Sequence, residues 1–182
     1  LHPIPAATII LLRDGSNGME VLMLTKASGS HFAAGALVFP GGKLDPVDRN
    51  YVEKMSVKND PIIEFKVAAI RELFEECGIL LAKTEGTDKL IPSSEVIQIR
   101  RDNPNRGPFE IANLNSLELA IEKLVHFAHW ITPRQRPKRY DTHFFVTRAP
   151  DLNAAPVVDG YEIINAEWRR PGDILDDVYN GL

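Results

Sequence analysis

Residues 62–77, IIEFKVAAIRELFEEC, constrain the fold more than any other stretch of the chain. Ala69, Ile70, Leu73, Phe74 and Cys77 fall at i, i+1, i+4, i+5 and i+8, one apolar face at about 100° per residue. Gly78 follows at the position of a helix C-cap. A helix with one apolar face needs a surface to bury it, and the flanking segments are of strand type. Residues 6–13 are apolar and β-branched, a DGSNG turn follows, and residues 19–26 (MEVLMLTK) return as a second strand of a hairpin-like pair. ALVFPGGK is a short buried strand that stops at Pro40 and opens into Gly41-Gly42. The stretch 44–61 is polar and loop-like, and ILLAK (79–83) reads as a strand.

Further on, PSSEVIQIRR starts a helix with Ser93 or Ser94 as N-cap, and RDNPNRGP breaks it. NSLELAIEKL has the spacing of a second helix, capped by Asn115 or Ser116. VHFAHWI, HFFVTRA and YEIINAEWR read as strands, and Pro171 opens a terminal helix. Strands alternating with helices predict a mixed α/β domain. The 182 residues suit one domain spanning 1–182.

With 44% hydrophobic and 25% charged residues the chain has ample material for a core. A net charge of −4 and a pI near 5.7 argue against nucleic acid or a membrane surface as partner, since both usually select a basic face. No apolar run approaches the ~18 residues of a membrane span, and no charged leader precedes a short apolar stretch. A start at Leu1 without Met is expected of a processed or trimmed chain. The single cysteine, Cys77, excludes an internal disulfide and a cysteine-rich zinc site, which makes the reducing cytoplasm the expected compartment. A homodimer stays open at this level.

The helix carries an anomaly on the flank of its apolar face. Glu72, Glu75 and Glu76 share an arc of roughly 100°, at the i+3 and i+4 spacings where side chains meet. Like charges at those spacings destabilise a helix by a few tenths of a kcal/mol per pair, and here they also oppose the macrodipole at its C-terminal end. Two broken local rules at one place mark a functional candidate. Clustered carboxylates suit a hard dication such as Mg²⁺ or Mn²⁺, which takes oxygen ligands and shares them with substrate phosphates. The backbone at Gly41-Gly42 can approach such a ligand closely. The competing reading is a solvated acidic face.

Taken together, FPGGK, the helix REL-x-EE-x-GI and the strand after it resemble the box of the Nudix hydrolases. Gly42 matches the first glycine of the box, and Arg71, Glu72, Leu73, Glu75, Glu76, Gly78 and Ile79 match its second half. Between Gly42 and Arg71 the chain has 28 residues, which implies an insertion at about 49–63. A second addition, largely helical, occupies about 84–124. Counted from Gly42, Asp48 falls on the family's middle glutamate; counted back from Arg71, Ile63 does, and neither is given a metal role. The resemblance implies a Nudix fold, a mixed β-sheet sandwiched between helices (α/β/α). It also implies a hydrolase that cleaves the pyrophosphate of a nucleoside diphosphate linked to another moiety. Carried over, Glu72, Glu75 and Glu76 hold Mg²⁺ or Mn²⁺ with the Gly42 carbonyl. Arg71 orients the cluster through Glu75, and Glu72 is the leading general base, with a residue on a later loop as the alternative.

LVFPGGKLDPVD, HWITP and RYDTHFF also look like the subgroup of peroxisomal coenzyme A diphosphatases, which implies coenzyme A or acyl-CoA as substrate. Related members carry an arginine in the loop before FPGG; the loop KASGSHFAAG has none, and His31 stands near its place. NADH, ADP-ribose, dinucleoside polyphosphates or a non-catalytic nucleotide sensor remain alternatives. The loop PRQRPKR brings Arg134, Arg136, Lys138 and Arg139 together as candidate phosphate contacts, against the reading of a solvated basic turn. Trp130, Tyr140 and Phe32 are candidate stacking surfaces for a base. His126, His129 and His143 alternate with apolar residues and read as packed or half-exposed strand histidines. Cys77, on the apolar side of the helix, reads as core. The insertion and the 84–124 segment are expected to shape the rim of the pocket.

Overall fold

A computed structural model describes residues 2–29, 35–55, 60–158 and 160–181. Strands β1 (Ile4–Gly15) and β2 (Gly18–Lys26) form the expected antiparallel hairpin, Leu12 opposite Val21. β3 (Leu37–Val38) pairs with β2, and β4 (Gly41–Lys43) returns to pair with β1, Ala7 opposite Gly42. The polar stretch after it is not all loop, because α1 (Pro46–Lys54) begins there with Pro46 in its first turn and an Asp45–Asp48 capping box. α2 (Ile63–Cys77) follows and ends at Gly78, whose φ of +72° is the left-handed cap that glycine adopts without strain.

Of the expected strand 79–83, only β5 (Ala82–Thr84) is strand; Ile79, Leu80 and Leu81 are buried but unladdered. α3 (Ser93–Asp102) is capped by Pro92 rather than by a serine side chain. The expected helix over NSLELAIEKL is absent. A helix forms earlier, α4 (Pro108–Leu114), with Asn115 at its C-cap; β6 (Leu117–Leu119) then pairs with β5, and a 3-10 turn spans Ile121–Lys123. Ser116, at φ +52°, breaks the helical path. Pro108 starts the helix where a missing N–H costs nothing, and pairing with β5 takes the backbone groups of Leu117–Leu119.

β7 (Val125–Ile131), β8 (Tyr140–Arg148) and β9 (Ile163–Arg169) stand at the predicted places, and α5 (Pro171–Tyr179) closes the order. The large sheet runs β3-β2-β1-β8-β7, with β9 on β2. β1 and β8 are parallel and the remaining pairs antiparallel, so the sheet is mixed and the α/β expectation holds.

α2 is buried nearly all round, beyond the single apolar face its period suggested: Val67, Ala68, Ala69, Ile70, Leu73 and Cys77 have no exposure. One side packs on β1 and β4, the other is covered by α1, α4 and the 3-10 turn. Among the described residues, the insertion and the 84–124 segment therefore back the helix rather than line the pocket rim. A helix that carries charge on one flank needs apolar cover on the rest of its circumference, which these segments supply.

Candidate active site

β4 and the C-terminal half of α2 lie side by side, and their contact depends on glycine. A Cβ on Gly42 would stand 2.4 Å from Glu72 Oε1, so a larger residue there would displace that carboxylate. The adjacent Gly41 N–H donates to Glu76 Oε2 at 2.8 Å. Thus the turn after β3 and the helix flank predicted from sequence are brought together.

Arg71 is the hub. Its Nε and Nη2 donate to both oxygens of Asp48 at 2.7 and 3.0 Å, Nη1 donates to Glu72 at 2.8 Å and to Glu75 at 2.9 Å, and Nη2 also reaches the Lys43 carbonyl at 2.9 Å. The expected i,i+4 pair with Glu75 is present, with the stronger bidentate partner arriving from outside the helix. Asp48 is fully buried, and its Oδ2 also accepts the Asp45 N–H at 2.8 Å. The insertion hid this pairing from sequence reasoning. The count from Gly42 pointed to Asp48, the count from Arg71 to Ile63, and only the path of α1 decides. Ile63 is a core residue.

Burial works against the Arg71 charge, and Asp48 and Glu72 more than offset it, holding the guanidinium above its ordinary pKa. Glu72 is raised by burial, an effect the Arg71 charge opposes. Glu76 is the most perturbed carboxyl: burial, only partly offset by the Gly41 N–H and by Lys26, pushes it up to about 8. Lys26, itself buried, lies 3.8 Å from Glu76 and 2.9 Å from Glu162. In sequence its one signal is a lysine that ends an apolar strand. Cys77 is sealed in the core with its thiol pushed up to about 12 by burial, which removes it as a nucleophile.

The carboxylates open onto a cleft of about 1110 Å³. One wall carries Glu72, Glu76, Arg71 and Gly41-Gly42; the other carries Lys138, Tyr140, Thr142 and Phe144 of β8 and the loop before it. Phe39, Tyr161 and Glu162 also line it, none of them singled out by sequence. Of the basic loop, Lys138 reaches the cleft, whereas Arg134 and Arg136 are exposed outside its lining and Arg139 donates to the Thr132 carbonyl at 2.9 Å. Tyr140 lines the cleft as a stacking surface would, and Trp130 packs on Phe144 with ring centroids 5.6 Å apart. His31 and Phe32 lie outside the described residues.

The donor set is all oxygen, and burial raises its Glu76 carboxyl to about 8 although the Gly41 N–H and Lys26 stand beside it. A hard dication fits it, because its charge would favour the ionised form of Glu76 against burial and offset the repulsion between Glu76 and Glu72.

A mixed sheet with this glycine turn and carboxylate helix defines a Nudix-type protein. A family model of the NUDT19 Nudix domain matches residues 49–181, and the chain belongs to that family. A nudix-hydrolase-type protein of Caenorhabditis elegans is 29% identical over 97% of this chain and 54% of its own length. "Acyl-coenzyme A diphosphatase NUDT19" of Xenopus laevis is 26% identical over 91% of this chain and 56% of its own length. The chain thus spans about half the length of the curated relatives it matches. Among solved structures, a Nudix hydrolase from Alicyclobacillus acidocaldarius superposes with a TM-score of 0.79 at 28% identity, covering 99% of this chain and 84% of that one.

Proposed function

We propose that this chain is a single Nudix domain that hydrolyses the pyrophosphate of a nucleotide derivative, coenzyme A or an acyl-CoA, with a divalent cation. The observation that carries the reading is the buried Arg71–Asp48 pair holding Glu72 and Glu75 beside the buried Glu76, in a cleft large enough for a nucleotide. Glu72, Glu75, Glu76 and the Gly42 carbonyl would hold Mg²⁺ or Mn²⁺, which supplies phosphate neutralisation and a more acidic water.

The chain's own residues do the rest. Arg71 fixes the Glu72 carboxylate by a 2.8 Å bond, leaving its other oxygen as the leading acceptor of the water proton. Lys26 balances charge at Glu76 when that carboxyl ionises. Lys138 lines the same cleft as the carboxylates and would take a substrate phosphate, with Arg134, Arg136 and Arg139 of the same loop adding positive charge. Tyr140 and Phe144 offer ring faces to a base. The frog and human relatives named as acyl-coenzyme A diphosphatases support the substrate class.

The test is a panel of coenzyme A, acyl-CoA, NADH, ADP-ribose and dinucleoside polyphosphates with Mg²⁺, products read by mass. Release of 3′,5′-ADP and 4′-phosphopantetheine from coenzyme A is the expected result. Preferential cleavage of another member would reassign the substrate, and tight nucleotide binding without turnover would make the chain a sensor.

A further inference from the structure

β8 has two faces with different chemistry. Tyr140, Thr142 and Phe144 line the cleft, while Asp141 and His143 point to the opposite side with the buried Phe145. The edge strand β7 delivers two more imidazoles to that opposite side. His129 stands directly across from His143 and His126 across from Phe145.

Residues three apart in a regular strand face opposite ways, so His126 and His129 should be on different faces. A bulge between His126 and Ala128 inserts one extra residue and turns both to the face of His143. Bulges of this kind re-aim side chains, and this one gathers His126, His129, His143 and Asp141 on one patch.

The contacts within the patch are close. The His129 and His143 rings stack 4.1 Å apart at 13°, His129 Nε2 bonds Asp141 Oδ1, and His143 Nδ1 lies 3.0 Å from His126 Nε2. One potential ligand atom from each of His129, Asp141 and His143 falls within 4.8 Å of the others. Tetrahedral ligands of Zn²⁺ at ~2.0–2.1 Å stand about 3.3 Å apart, so small rotations of the exposed His129 and half-buried His143 rings close the difference. The Phe65 ring of α2 packs on His143 at 4.2 Å and backs the patch with an apolar surface.

We propose that His129, Asp141 and His143, with His126 held against His143, form a binding site for a first-row transition-metal dication of the Zn²⁺ class. It is distinct from the carboxylate cluster and lies on the other face of β8. The ligand types separate the two sites: imidazole nitrogens select Zn²⁺, Ni²⁺ or Cu²⁺, whereas the all-oxygen cluster selects Mg²⁺ or Mn²⁺. Two histidines and a carboxylate also leave a coordination position for water or a further imidazole.

The test is a Zn²⁺ titration of the untagged, chelator-stripped chain with excess Mg²⁺ present to occupy oxygen sites, followed by calorimetry. One equivalent binding at micromolar concentration or tighter is expected. His129→Gln and Asp141→Asn, neither of them in the core, should each weaken binding at least tenfold, and Glu76→Gln should bind as the unaltered chain does. Imidazole ¹⁵N resonances of the unaltered chain give a readout independent of any variant: those of His129 and His143 should shift with substoichiometric Zn²⁺. Binding that survives both His129→Gln and Asp141→Asn, is lost in Glu76→Gln, or leaves those resonances in place would overturn the site.

Discussion

At the scale of single residues, Glu76 shows how far burial can move a carboxyl that sequence reads only as acidic. It is 8% exposed, accepts one backbone N–H, and has a lysine at 3.8 Å rather than in contact. Its pKa of about 8 against an ordinary 4.5 means that the folded, metal-free protein keeps a proton the unfolded chain gives up. Stability from that proton is fully present below about 4.5 and is lost as pH rises through about 8. The metal-free protein should therefore melt at progressively lower temperature across that window, and Glu76→Gln should flatten the decline. Equal slopes for the two proteins would show that Glu76 is ionised in the fold. With Mg²⁺ and substrate the same variant should lose turnover by ~10²–10³-fold, the scale of removing one pre-organised electrostatic group. Near-normal turnover would remove Glu76 from the metal site.

At the scale of elements, α2 was legible because its apolar residues keep a helical period and Gly78 ends it, and β1, β2, β7 and β8 because β-branched and aromatic runs stand between turns. Residues 115–124 were not legible. Leu117, Ala120, Ile121 and Leu124 satisfy a helical spacing, but the choice is made by β5, to which Leu117 and Leu119 pair. The bulge in β7 leaves no local signature either, since its effect lies in register with β8. Asp48 belongs to the same class of hidden information. It sits in the first turn of α1, an element the polar composition of 44–61 concealed, and it ties that element to α2 through Arg71. Breaking a buried ion pair by removing one partner costs ~3–5 kcal/mol, so Asp48→Ala should lower the unfolding free energy read from denaturant titration by an amount of that order. It should also cut kcat, because Arg71 would no longer hold Glu72 from a fixed position. Unchanged stability in Asp48→Ala would mean that Glu72 and Glu75 satisfy Arg71 without help from the insertion.

At the scale of the whole molecule, the cleft is assembled from segments that are remote in sequence: Ala6 and Thr8, Lys26, the turn at Gly41-Gly42, α2, and β8 with the loop before it. The parallel pairing of β1 with β8 makes this assembly, bringing residues 140–144 beside residues 4–8 and so opposite the glycine turn on the other edge of β1. Beyond the cations that accompany the carboxylates, Lys26, Lys43 and Arg71, the cleft takes Lys138 from the loop before β8. A pyrophosphate spanning the cleft would have its reacting phosphorus beside the carboxylates and another phosphate near Lys138. Contacts on the far wall are made equally in the ground and transition states, and such uniform binding sets KM rather than kcat. Lys138→Ala should therefore raise KM for coenzyme A about tenfold, equivalent to ~1.4 kcal/mol, with kcat nearly constant. Steady-state kinetics on coenzyme A and dephospho-coenzyme A would locate the phosphate concerned. If Lys138 holds the 3′-phosphate, the variant should lose its preference between the two, and if it holds the pyrophosphate, both KM values should rise together. A fall in kcat with KM unchanged would instead place Lys138 at the reacting centre, on the same side of the chemistry as Arg71.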